Sequence, residues 1–159
     1  MPITLICVGK LRERFYAEAA EEYLKRLRRL MPVTVAEVPD EREPDAPSEA
    51  LYEAALRREG ERILQRVGAH EYVVALCIEG RQLPSEALAD KLRGLFVAGR
   101  SNVAFVIGGS LGLHENVLKR ADERMSMSLM TFPHQLARVM LLEQLFRAAK
   151  INAGERYHK

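Results

Sequence analysis

The constraint that narrows the fold most is the spacing of four short apolar runs, at residues 3–9, 33–38, 72–78 and 103–107. Each is rich in Val, Ile or Leu and is bounded soon after by Gly9, Pro39, Gly80 or Gly108. Runs this short, apolar along most of their length, read as strands buried on both faces. Between them the periodicity is helical. Residues 13–31 set Tyr16, Ala20, Tyr23, Leu24, Leu27 and Leu30 on one stripe, and Pro32 ends it. Ser48 is placed to cap a helix that runs towards Val67 and stops at Gly68. Ser85 is placed to cap another, closed by Gly99. Strands alternating with helices predict an α/β fold, a mostly parallel sheet with helices on both faces. At 159 residues, 48% of them hydrophobic, the chain fits one domain spanning 1–159.

The remaining segments are less uniform. Residues 39–47, with three prolines and four acidic residues, predict an exposed connection. A short helix is expected over 114–123 and a weaker strand over 125–130. The last helix, over 135–152, carries Leu136, Val139, Met140, Leu141, Leu142, Leu145, Phe146, Ala148 and Ala149 almost all the way round. A helix apolar on every side is buried on every side. In so small a chain this predicts that one face covers the sheet and another meets a second subunit, as a twofold homodimer.

The first apolar run is too short for a signal peptide, and no run reaches the length of a membrane span, so a soluble cytoplasmic protein is expected. Cys7 and Cys77 sit in apolar runs without partners at metal-ligand spacing; buried reduced thiols and no metal site are expected. The net charge of +2 hides an uneven distribution. Residues 1–31 carry seven Lys/Arg against four Glu, and residues 134–159 carry five against two. Residues 40–62 carry eight Asp/Glu against four Arg. If the basic ends meet in space they make a phosphate-binding face; otherwise they are solvated helix surfaces.

Gly108-Gly109-Ser110-Leu111-Gly112 follows the most strand-like segment directly, where open parallel sheets bind ligands. The spacing lacks the G-x-G-x-x-G order of dinucleotide sites. It does fit G-x-S-x-G, the nucleophile elbow, with Asp122 or Glu123 and then His134 in the right chain order. Against a hydrolase stand the missing HGGG-type segment, the short chain and the charged surroundings of Asp122. Residues 125–130 alternate the small polar Ser126 and Ser128 with larger apolar residues, which suits either a half-buried strand or a loop around a flat, partly apolar ligand. Glu143 and Arg147 are spaced i, i+4, as in surface ion pairs. Tyr157-His158-Lys159 places residues able to stack on a base beside others able to hold phosphate.

In order along the chain, Leu5-Ile6-Cys7-Val8-Gly9-Lys10, Val74-Ala75-Leu76-Cys77-Ile78-Glu79-Gly80, residues 105–113, residues 127–148 including Thr131-Phe132-Pro133-His134-Gln135, and Tyr157-His158-Lys159 resemble one family. It is the RlmH family of SPOUT methyltransferases, which methylate N3 of a pseudouridine in large-subunit rRNA. The resemblance implies a C-terminal trefoil knot, a homodimer, and S-adenosylmethionine held by Leu76, Gly108, Met127, Ser128, Leu129, Met130, Thr131 and Phe132. It also implies a substrate in 23S rRNA, the helix 69 stem-loop facing the decoding region, met on assembled ribosomes. N3 is a weak nucleophile while protonated, so a proton acceptor is expected in His158 or Glu143, with Arg147 stabilising charge on the base. Arg138 and Lys159 are expected on phosphate and Tyr157 on the RNA. The competing expectation is an RNA-binding protein that keeps a nucleotide pocket without catalysis.

Overall fold

The computed structural model describes residues 1–46 and 48–159; Pro47, in the expected exposed connection, lies outside them. The elements run β1 (Ile3–Val8), α1 (Arg14–Leu27), β2 (Val33–Val38), α2 (Glu49–Arg66), β3 (Tyr72–Gln82), α3 (Ser85–Val97), β4 (Val103–Ile107), α4 (Glu115–Arg120), β5 (Glu123–Ser126) and α5 (His134–Asn152). The strands form one five-stranded sheet in the order β2-β1-β4-β3-β5, with every neighbouring pair parallel. The expected α/β architecture is therefore present, with the sheet parallel throughout.

The central strands explain why both faces must be covered. All five residues of β4 are buried. Val103, Phe105 and Ile107 join Ile3, Leu5 and Cys7 of β1 on one face, packed on residues of α1, α3 and α5. Ala104 and Val106 join Ile6 and Val8 on the other face, with Ile63 of α2 and Val117 of α4. Period-two alternation thus feeds two cores rather than one core and solvent. Full burial of each large side chain here contributes about 1.5–3 kcal/mol.

Several boundaries differ from the sequence expectation, each for a local reason. Ser48 does cap α2, its Oγ accepting from Leu51 N–H at 3.4 Å. Ser85 does not cap α3; Pro84 holds that position, and the Ser85 hydroxyl instead meets Gln144 Oε1 at 2.6 Å. The strand expected over 125–130 lies earlier, at Glu123–Ser126. Beyond it two serines bond to nearby backbone: Ser126 Oγ donates to Ser128 C=O at 2.9 Å, and Ser128 Oγ accepts from Met130 N–H at 3.0 Å. Such short-range bonds compete with a ladder and turn the chain into a loop.

The breadth of apolar surface on α5 is also explained within one chain. α5 packs against both α1 and α3 as well as the sheet, and among its large apolar residues Leu136, Val139 and Met140 form a partly exposed stripe, with Ile151 partly exposed near the far end. All-round burial therefore does not by itself demand a second subunit. Arg138 is likewise turned inward. It is 3% exposed, with Nη1 on Glu37 Oε2 at 2.7 Å and Nη2 on the Gly9 carbonyl at 2.9 Å. Arg138, expected on RNA phosphate, has its guanidinium engaged within the fold, where it ties α5 to the carboxyl ends of β1 and β2.

Removing one member of a buried ion pair leaves the other without compensation. Arg138→Ala should therefore lower unfolding stability by about 3 kcal/mol, the low end of the buried-pair range because Glu37 is partly exposed. Urea unfolding checks this, and a loss below about 1 kcal/mol would mean the contact behaves as a surface pair.

Candidate functional site

A cavity of about 460 Å³ opens beyond the carboxyl ends of β3, β4 and β5. The connections explain its place. β3 leads to α3 on one face of the sheet and β4 to α4 on the other, and chains that part in this way leave a crevice between them. One wall is Leu76 with the stretch Cys77-Ile78-Glu79, which bulges out of the β3–β5 ladder between Leu76 and Arg81. The second wall is the turn from Gly108 to Gly112, and the third is the loop after β5 with the start of α5.

Two glycines at this edge are required by close approach. A Cβ on Gly108 would lie 2.4 Å from the Gly112 carbonyl oxygen, and one on Gly80 would lie 2.5 Å from the Met125 carbonyl carbon. Any side chain at either position would push main chain aside. Gly112 N–H donates to Gly109 C=O at 3.1 Å and closes the turn.

Of the eight residues expected around the cofactor, Leu76, Gly108, Met127, Ser128, Met130, Thr131 and Phe132 line this one cavity. Leu129 does not; it is 78% exposed on the outside of the loop. Residues not singled out beforehand also line it, among them Cys77, Leu113 and Ala137. Cys77 is half-buried rather than buried, while burial pushes the thiol of Cys7 up to about 12. His134 stands at the mouth of α5, and burial followed by the neighbouring Arg138 charge lowers its pKa.

The same geometry dismantles the hydrolase elbow. Ser110 is exposed, and among the described residues no hydrogen bond joins it to His134. Asp122 accepts from Val73 N–H at 2.8 Å and pairs with Arg120. Glu123 accepts from the Tyr72 hydroxyl at 3.2 Å and pairs with Lys91 at 2.9 Å. Neither carboxylate is available to orient a histidine.

The residues expected to do chemistry form a second cluster, where the tail folds back on α5. Arg147 Nη2 meets Glu143 Oε1 at 2.5 Å, and the Tyr157 hydroxyl reaches the same oxygen at 3.2 Å. The hydrogen bond to Glu143 raises the pKa of Arg147; burial, and then the Glu143 charge, raises that of Tyr157. Tyr157 packs edge-on against Phe146, with ring centroids 4.9 Å apart, and the Arg147 guanidinium lies 4.9 Å from the Tyr157 ring centroid. His158 Nε2 meets Glu86 Oε1 at 2.6 Å and its Nδ1 faces Arg147 Nη1 at 3.2 Å. Because a guanidinium only donates, Nδ1 is the acceptor and Nε2 carries the proton. Lys159 is exposed.

Glu143 also lines a cavity of about 530 Å³ bounded by Tyr23, Pro84, Leu88 and Val139. It shares Ser126 and Met127 with the first cavity. The two basic stretches meet here: Arg26 lies over the rings of Tyr23 and Phe146, and Lys150 over Phe146. No described helix is long and apolar enough to cross a membrane, and no group of metal-ligating side chains is found among the described residues.

A parallel sheet with a glycine-edged cavity at its carboxyl edge defines a class of α/β ligand-binding domain. Residues 1–158 match the family model described as "Predicted SPOUT methyltransferase", and the chain belongs to that family. It is 51% identical to "Ribosomal RNA large subunit methyltransferase H" of Alkaliphilus oremlandii and 52% identical to the protein of that name from Bifidobacterium adolescentis. Both alignments cover 100% of this chain and of the relative. Among solved structures it is similar to a protein of Haemophilus influenzae Rd KW20 described as a probable methylase family protein. That match has a TM-score of 0.54 and 16% identity over 99% of this chain and 70% of the other. At that identity the likeness is one of fold alone.

Glu86 is the anionic partner of His158, so Glu86→Gln should free the end of the tail. Hydrogen–deuterium exchange at His158 and Lys159 is expected to speed up while α5 stays protected. Unchanged exchange would assign the docking to Tyr157 and Phe146 instead.

Proposed function

We propose that the chain transfers a methyl group from S-adenosylmethionine to N3 of a pseudouridine in 23S rRNA, in the helix 69 stem-loop facing the decoding region, on assembled ribosomes. The observation that carries this reading is the single cavity that gathers Leu76, Gly108 and most of residues 127–132. The names of full-length relatives near 50% identity add support for an rRNA substrate. The cytoplasm, where ribosomes work, is the proposed location. The knotted threading implied by the family resemblance is part of the same proposal.

The residues present fit the cofactor. A volume of about 460 Å³ lies within the range of small-molecule sites. Leu76, Met127 and Phe132 offer apolar faces to an adenine, and the cramped turn at Gly108 offers main-chain groups. Bound there, S-adenosylmethionine supplies an electrophilic methyl group. The chain then has to orient the base, keep water out and remove the N3 proton.

A homodimer is proposed on geometric grounds. His134 begins α5 at the cavity, and Arg147 lies 13 residues further along the same helix, about 20 Å away at 1.5 Å per residue. His158 lines neither cavity. A second copy running the opposite way would bring its own tail towards this cavity, over the half-exposed stripe of Leu136, Val139 and Met140. His158 or Glu143 would take the proton, Arg147 would stabilise charge on the base oxygens, and Tyr157 and Lys159 would contact the RNA.

The test is methyl transfer from labelled cofactor to naked rRNA, separated subunits and assembled ribosomes, with mapping of the modified base. Calorimetry that finds no cofactor binding up to millimolar concentration would instead favour a non-catalytic RNA-binding protein. With His158→Ala, single-turnover methylation should fall about a hundredfold or more with RNA binding intact. An undiminished rate removes His158 from the chemistry.

His134 supplies a pH signature. Its pKa is lowered below the ordinary 6.5, so the ring is neutral at neutral pH. As pH falls through that depressed value, protonation sets a cation beside a cationic ligand, and calorimetric affinity should drop. In His134→Gln this acid-side loss should be absent; its persistence would assign the effect to another group.

A further inference from the structure

Beneath the glycine turn, on the side away from the cavity, lies a carboxyl group that the proposed chemistry does not use. Glu59 sits on α2, is 2% exposed, and accepts a hydrogen bond from Glu41 N–H at 2.8 Å through Oε2. Its Oε1 has no hydrogen-bond partner. The turn rests close above it: a Cβ built on Gly109 would lie 3.1 Å from Val8 Cγ1 and 3.9 Å from Glu59 Oε2. Glu59 therefore bonds the connection after β2 at Glu41 and lies beneath the turn, with room for little more than a methyl group between its carboxyl and Gly109.

We propose that Glu59 is a positioning residue for the cofactor turn, its bond to Glu41 fixing the carboxyl in place beneath Gly109 so that residues 108–112 keep the shape that faces the cavity. This inference rests on the reading of the cavity as a cofactor site.

The surroundings say which form of the group fits. Asp40 and Glu41 face it with like charge, and Arg62 is the nearest cation. Arg62 is already engaged, with Nη1 on the Pro39 carbonyl at 2.9 Å and Nη2 on Glu41 at 3.5 Å. From the α4 side, the neutral Asn116 and His114, whose ring bonds Glu53, lie against the adjacent Gly60. Burial, and then these carboxylates, push the pKa of Glu59 up, against the lowering effect of the Glu41 amide. A neutral acid of this shape has a close mimic in glutamine, whose carbonyl can still accept from Glu41 N–H. Alanine leaves that buried N–H unpartnered and opens a void under the turn.

The experiment is calorimetric titration of S-adenosylmethionine into the intact wild-type protein, Glu59→Gln, Glu59→Ala and Leu92→Ala. It is paired with amide exchange at residues 108–113. Leu92 is buried on α3 across the sheet, so its truncation reports stability loss away from the turn. Glu59→Gln should bind within about twofold of wild type, and Glu59→Ala about tenfold or more weakly, with faster exchange at 108–113. Leu92→Ala should lose stability but not affinity. If Glu59→Ala does not fold, Glu59→Met, which keeps the bulk but cannot accept the bond, replaces it with the same expectation.

Wild-type affinity in Glu59→Ala, equal weakening in Leu92→Ala, or failure of Gln to restore binding would each overturn the proposal. Absence of binding by the wild type overturns the cofactor reading itself, a separate result.

Discussion

At the carboxyl edge of the sheet, main chain meets main chain more closely than any side chain permits. Gly80 lies against the backbone of Met125, and Gly108 against the carbonyl of Gly112. Such contacts are available to glycine alone, because even one methyl group would separate the segments. Their consequence is a cavity two of whose walls are set in place by backbone packed on backbone. The first contact pins the far end of β3 to β5 after the ladder has broken at Leu76, and lets Cys77-Ile78-Glu79 bulge outward. The second folds the exit of β4 back on itself. Side chains from elsewhere then furnish a space that the backbone has already shaped.

The helix α5 links that space to the rest of the molecule. Its first turn closes the cavity at His134 and Ala137, and Arg138 immediately anchors it to Gly9 and Glu37. Further along, Leu141, Leu142 and Leu145 fix it on the sheet between α1 and α3. A guanidinium suits this anchor because one nitrogen can serve a carboxylate while another serves a carbonyl. The loop of residues 127–133 is thus held at both ends, by the β5 ladder before it and by the Arg138 anchor after it. Its tip, at Leu129 and Met130, remains exposed.

The sheet was legible in the sequence where each signal was local. β2 and β4 fall on the expected residues because β-branched runs bounded by Pro or Gly leave little choice. The loop after β5 was ambiguous, since alternation of large and small residues describes a strand and a serine-turned loop equally well. Only the bonds of Ser126 and Ser128 decide between them. The inward turn of Arg138 was not legible for a related reason: a charge on an apolar helix reads as a solvent-facing contact unless its partners, 129 and 101 residues earlier in the chain, are known to be there. Glu59 gave no signal at all. It stands in a run of charged residues on α2, and nothing in its spacing separates the one carboxyl that is buried from the exposed ones around it. The cavity residues were found through resemblance to a family, whereas the bare glycine spacing left a hydrolase elbow open.

The folded-back tail adds a constraint on any mechanism that uses His158 as a base. In this arrangement neither ring nitrogen is free, because Nε2 donates to Glu86 and Nδ1 faces Arg147. A base needs an unshared lone pair directed at its substrate. His158 must therefore leave at least the Arg147 contact before it can accept a proton, and Arg147 must turn from it to reach a base oxygen. The Glu86 side of the dock is weak, since Glu86 is largely exposed and pairs of this kind contribute little. The Tyr157 ring, wedged between Phe146 and Arg147, is the stronger hold. Release thus divides naturally at Tyr157: the last two residues can swing while the tyrosine stays in place. A substrate base that competed for the Arg147 face would free the histidine at the moment a proton acceptor is required.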